Sequence, residues 1–187
     1  MSLGPPSGAP NPYAPPVFVD QPVPVAAPVL SASTTAEIKA LFETGKNGAA
    51  WFYWVAGLSL VNSIAVLIGA QFGFALGLSV TQIADGVAAG LVLNGSPEYV
   101  RGIAFGFNLL VLGMVAGCGW LSQKRVLPVF ALGMVLYLLD GLLFLPFGDV
   151  ISIGIHGFAL WCMWKGFQAY RQLAKLELSL SQAPLSY

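Results

Sequence analysis

The chain has 187 residues, of which 57% are hydrophobic and 9% charged, with eight Lys and Arg set against eight Asp and Glu. Soluble domains carry about 25% charged residues, so this chain lacks the polar surface a water-soluble globule needs, as its mean hydropathy of +0.77 also indicates. An ordinary soluble domain, a charged disordered protein and a nucleic-acid binder, which would need a basic face, are excluded; the expectation is an all-α integral membrane protein whose first partner is the lipid bilayer.

Residues 1–33 are rich in Pro, Ala, Val and Ser, with Asp20 the one charge. Runs such as Gly4-Pro5-Pro6 and Ala14-Pro15-Pro16 cannot sustain helical hydrogen bonds. A disordered, polyproline-leaning tail is expected, either a solvated spacer or a ligand for a proline-binding groove. No cleavable signal peptide is expected, because no Lys or Arg precedes Lys39 and no apolar core lies near the start. Thr34 and Glu37 have capping-box spacing, and Ile38, Leu41 and Phe42 recur helically. This predicts a short amphipathic interfacial helix over 34–48, punctuated by Gly45 and Gly48.

Four apolar runs then predict spans at about 50–70, 101–122, 126–146 and 149–171, near the roughly 20 residues a crossing needs. The first span should serve as an uncleaved signal anchor. The stretch 72–93 is amphipathic instead. Leu76, Val80, Ile83, Val87 and Leu91 share one helical face, and Ser79, Gln82, Asp85 and Gly86 gather on the other. It is predicted to be an interfacial or re-entrant helix on the outer side. Residues 172–187 are predicted to form a cytoplasmic tail.

Charge position orients the spans, because Lys and Arg mark the cytoplasmic side. With four spans and both termini inside, Lys39, Lys46, Lys124, Arg125, Lys165, Arg171 and Lys175 are inside and only Arg101 is outside; a fifth span would send five of the eight out. The interfacial tryptophans agree: Trp51, Trp54, Trp120, Trp161 and Trp164 fall near the cytoplasmic ends. The links at 122–125 and 146–149 are short enough to make spans two, three and four antiparallel neighbours.

Four polar residues fall inside the spans: Asn62, Asn108, Asp140 and His156. Asp140 and His156 flank the turn at 147–148 almost symmetrically, so at about 1.5 Å per residue they reach one depth. Asn62 and Asn108 reach the same layer in the outer half of the membrane. An unpaired Asp in hydrocarbon costs about 2.5–3.5 kcal/mol, so an Asp140–His156 contact is predicted, with the Asn amides filling the remaining lone pairs. The layer is read first as structural and alternatively as a proton or substrate path. Gln82 and Asp85 could join it as a vestibule, although solvation of Asp85 at the outer surface is the simpler expectation. Gly102, Gly106, Gly113 and Gly117 follow small-x3-small spacing. They are expected to pack within the bundle, with a homo-oligomer contact as the alternative; Gly154 and Gly157 suggest close approach beside His156.

Cys118 and Cys162 lie in apolar runs and read as small hydrophobes. One histidine cannot make HExxH, and neither a Walker loop nor GxGxxG occurs, so no catalytic residues, metal or cofactor are expected. The stretches Trp51-Phe52-Tyr53-Trp54-Val55-Ala56-Gly57-Leu58-Ser59-Leu60-Val61-Asn62-Ser63 and Gly77-Leu78-Ser79-Val80-Thr81-Gln82-Ile83-Ala84-Asp85-Gly86, with the tail bearing Asn11-Pro12-Tyr13, resemble small multi-span inner-membrane proteins of bacteria. That resemblance implies location and no site residue. The functional expectation is a non-catalytic scaffold or accessory subunit, in a homo-oligomer or membrane-protein complex, with no nucleic-acid partner. The alternative is a small transporter or proton-coupled channel using Asp140 and His156.

Overall fold

A computed structural model describes residues 31–70 and 77–182. The proline-rich tail through residue 30, the segment 71–76 with Leu76, and residues 183–187 lie outside the described residues. Five α-helices account for most of the rest: α1 (Ala32–Leu67), α2 (Ser79–Leu93), α3 (Tyr99–Gln123), α4 (Leu127–Leu142) and α5 (Val150–Gln182), with a single 3-10 turn at Leu145–Phe147. Four are long and apolar enough to cross a membrane when the 3-10 turn is counted with α4, and α2 is a shorter apolar helix.

The expected break between a surface helix and the first span is absent, since α1 runs unbroken for 36 residues. It starts earlier than the Thr34–Glu37 pattern implied, because Ser31 is the N-cap and its hydroxyl accepts the Thr34 N–H at 3.1 Å. At the other end, α5 continues to Gln182, so much of the expected C-terminal tail is helix. Asp149 caps the start of α5, accepting the Ser152 N–H and hydroxyl at 3.1 and 2.6 Å. Those bonds hold its carboxyl below the usual carboxylate range.

Gly45 and Gly48 do not punctuate a helix end. They let α1 and α5 touch. A Cβ on Gly48 would stand 2.5 Å from the Gly166 Cα, and one on Gly45 would stand 2.3 Å from carbons of the Tyr170 ring. Ala49 is fully buried beside this contact. Above it lies an aromatic core in which Phe52, Phe130 and Tyr170 are almost wholly buried. Phe130 stands edge-on to Phe52, Phe167 and Tyr170, with centroids at 5.7, 5.8 and 6.3 Å, a favoured aromatic geometry.

Three helices end in one motif. After α1, α2 and α3 the chain enters the left-handed region at Gly69, Gly95 and Arg125. In each, the next N–H returns to a carbonyl five residues back: Ala70 to Ala65, Ser96 to Leu91 and Val126 to Leu121. This is the Schellman closure, which usually takes glycine. Arg125 accepts the left-handed strain and forms a two-pronged pair with Glu177 on α5, at 3.0 and 2.5 Å, which raises its pKa. Lys124 and Lys165 lie over Trp120 and Trp161, a cation–π arrangement suited to an interface.

Two expected outcomes follow. Gly48→Ala or Gly166→Ala should destabilise the fold by about 1–3 kcal/mol through overpacking, whereas Gly113→Ala should be neutral or stabilising because nothing lies within 4 Å of its Cβ position; thermal unfolding in detergent distinguishes them. Arg125→Gly should cost less than Arg125→Ala, because glycine relieves the roughly 1–2 kcal/mol left-handed penalty while both lose a partly exposed ion pair worth about 0–1 kcal/mol.

Candidate functional site: a polar layer around the start of α2

A helix begins with four N–H groups that have no helical partner. In α2 this beginning is buried inside the bundle, with Leu78, Ser79 and Thr81 almost wholly enclosed. Side chains from other helices therefore supply the acceptors. The Leu78 N–H donates to Ser59 Oγ of α1 at 2.7 Å. Ser79 and Val80 donate their N–H groups to Asp140 Oδ2 and Oδ1 of α4, at 2.8 and 3.0 Å. The Ser79 hydroxyl donates to the Asp140 carbonyl at 2.7 Å. A carboxylate here also meets the positive end of the helix dipole. Asp140 lies about 10 Å along α4 from Phe147 at helical rise, so α2 starts well inside the bundle.

His156 completes this half of the layer. Its Nε2 is 3.3 Å from Asp140 Oδ2, and its Nδ1 is 2.9 Å from the Ser152 carbonyl. Tyr137 stacks on its ring at 4.6 Å, and Phe144 stands edge-on at 5.2 Å. Gly141 makes room for the imidazole, whose nearest atom would be 3.1 Å from an added Cβ. Gly154 and Gly157 have open space where a Cβ would stand, so the close approach expected from them belongs to Gly141.

The geometry constrains the proton count. A carbonyl only accepts, so Nδ1 must carry a hydrogen. Nε2 faces a carboxyl oxygen, so a hydrogen must also lie between these two atoms, on the ring or on the carboxyl. The pair thus holds one shared proton and is neutral as a unit.

The second half of the layer centres on Asp85, which was expected to be solvated. It is 5% exposed. Its Oδ2 accepts from Ser63 Oγ and its Oδ1 from Asn108 Nδ2, both at 2.8 Å. Asn108 Nδ2 also reaches Ser63 Oγ at 2.8 Å. Asn108 therefore serves Asp85 rather than Asp140. Asn62 is buried beside Gly77, where a Cβ would stand 2.5 Å from its amide nitrogen. Gln82 separates from Asp85. It lines a crevice of about 450 Å³ between α2 and the α4–α5 turn, with Ser79, Phe144, Phe147 and Asp149.

The four expected span residues are thus all buried, but α2 joins them into a layer by standing between two clusters. Ser59, Ser63, Ser79 and Tyr137 were not singled out as members. Hydroxyls at 59 and 63, one helical turn apart on α1, were the available signal. The glycine series Gly102, Gly106, Gly113 and Gly117 is not used inside the bundle, because each has open space at its Cβ position.

The described residues thus form an all-helical protein with four helices long and apolar enough to cross a membrane and a shorter apolar helix docked among them. Comparison with protein-family models, curated proteins and solved structures finds no match for the chain.

Because the chain has one histidine, ¹⁵N spectroscopy of His-labelled protein reads His156 without assignment. The expected signal is either imidazolium or the neutral Nδ1–H form; a neutral Nε2–H ring would contradict the shared-proton geometry.

Proposed function

We propose that this is a non-catalytic multi-span protein of the bacterial inner membrane, a scaffold or accessory subunit, with both termini in the cytoplasm. The observation that carries this reading is that the bundle's two buried carboxylates are consumed in docking α2: Asp140 by backbone N–H groups of its first turn, and Asp85 by Ser63 and Asn108. All four of their carboxyl oxygens accept a hydrogen bond from within the bundle. The cytoplasmic orientation rests on the basic residues at the α3–α4 turn and along the C-terminal half of α5, which the Arg125–Glu177 pair ties together. Bacterial location rests on the sequence resemblance alone.

A second reading, a small proton-coupled transporter, draws on the Gln82-lined crevice, which reaches Ser79, the residue bonded to Asp140. Purified protein in liposomes loaded with a pH-sensitive dye separates the two. The scaffold reading expects no proton flux above empty liposomes, and loss of folded protein on Asp140→Ala because two N–H groups and His156 lose their acceptor, at about 1–3 kcal/mol each. Flux that disappears in a folded His156→Gln variant would establish the transporter instead.

A further inference from the structure

The end of the bundle away from the polar layer carries two adjoining bands of side chains, and helix contacts fix their levels. Asn108 meets Ser63 and Gly119 meets Phe52, so α3 runs antiparallel to α1. Gly166 meets Gly48 and Tyr170 meets Gly45, so α5 does the same. Lys124 and Lys165 then lie level with positions 47 and 49 of α1, within about 5 Å of Lys46 along the axis. Trp120, Trp161 and Trp164 lie level with positions 50–53, beside Trp51 and Trp54, in a band about 6 Å deep. All five tryptophans of the chain share this band, and three of its lysines stand along one edge.

Nothing in the protein balances these lysines. No Asp or Glu stands at either level on α1, α3, α4 or α5. Among the described residues, none of Lys46, Lys124 and Lys165 is in an ion pair. The neighbouring Arg125 differs, because Glu177 takes it. All three lysines are exposed. Lys124 Nζ stands 4.9 Å from the Trp120 ring centre, and Lys165 Nζ 3.7 Å from that of Trp161. Each ring precedes its lysine by one turn, so both amines are drawn toward the tryptophan band. An ammonium over a ring face keeps N–H donors for a further acceptor.

Tryptophan favours the boundary between hydrocarbon and headgroups. Cations at the edge of such a band stand at the level of lipid phosphates. A zwitterionic headgroup brings its own ammonium and leaves the lysines uncompensated. A headgroup with net negative charge compensates them.

We propose that this rim selects anionic phospholipids, whose phosphates accept hydrogen bonds from Lys124 and Lys165 while their acyl chains lie along the tryptophan band. The proposal rests on reading the four long helices as membrane spans and is independent of the scaffold role.

Tryptophan fluorescence reads the rim without a label, because every tryptophan belongs to it. The full chain is reconstituted in bilayers mixing phosphatidylglycerol and phosphatidylcholine of identical acyl chains, with bromine on the upper acyl carbons of one lipid at a time. Brominated phosphatidylglycerol should quench about twofold more than brominated phosphatidylcholine at the same mole fraction. In Lys124→Gln/Lys165→Gln that excess should vanish. It should persist in Lys39→Gln/Lys175→Gln, which removes the same charge about 10 Å further from the band. Equal quenching by the two lipids in the unmodified protein would overturn the proposal while upholding the membrane level of the band. An excess lost equally in both double variants would reduce it to attraction by net charge and overturn it too. No quenching by either lipid would place the tryptophans away from the bilayer and overturn the proposal together with the spans it rests on.

Discussion

The bundle is organised around the Asp140 carboxylate receiving the first turn of α2. A helix that starts at a membrane surface leaves its free N–H groups to water. One that starts inside a bundle must find acceptors there, and water is too scarce to supply them. Asp140 gives one oxygen to each of two consecutive N–H groups, and Ser59 accepts the one before. The carboxylate in turn requires a counterweight. His156 provides it by sharing a proton, and its own orientation is fixed by the Ser152 carbonyl and the Tyr137 ring. Three helices, α1, α4 and α5, are thereby tied to the start of α2.

Once that end is fixed, the rest of α2 follows. Asp85 lies six residues past Ser79, about 9 Å further along, and meets Asn108 and Ser63. The apolar face of α2, including Val87 and Leu91, is left exposed. In water this would be an inverted helix. Against lipid it is the economical orientation, with hydrogen-bonding groups inward and hydrocarbon outward.

The four long apolar helices were legible because length and apolarity are read directly. The Asp140–His156 contact was legible for a geometric reason: two residues nearly equidistant from a tight turn must reach the same depth. What was hidden shares another cause. The periodicity of 72–93 separates two faces but does not say which faces in, and taking its polar face to water misplaced Asp85. Glycine spacing likewise states where backbones could meet, not where they do. The series on α3 is regular but unpartnered, while the real close contacts, Gly48 with Gly166 and Gly141 with His156, join different helices and leave no repeat in the sequence. The length of α1 was hidden because Gly45 and Gly48, ordinarily weak helix formers, are held within it by packing against α5.

The bonds that receive α2 also impose a timetable. Ser79 and Asp140 are separated by 61 positions, so when a ribosome has made the first span and α2, the residue that must cap α2 has not yet been synthesised. Until α4 is in place, only Ser59 of α1 is there to accept from the start of α2, and the Ser79 and Val80 N–H groups need water in place of Asp140. Complete docking of α2 can therefore only follow the synthesis of Asp140. A ribosome-bound chain halted before Asp140 emerges would hold α1 and α3 but lack the acceptor for the first turn of α2.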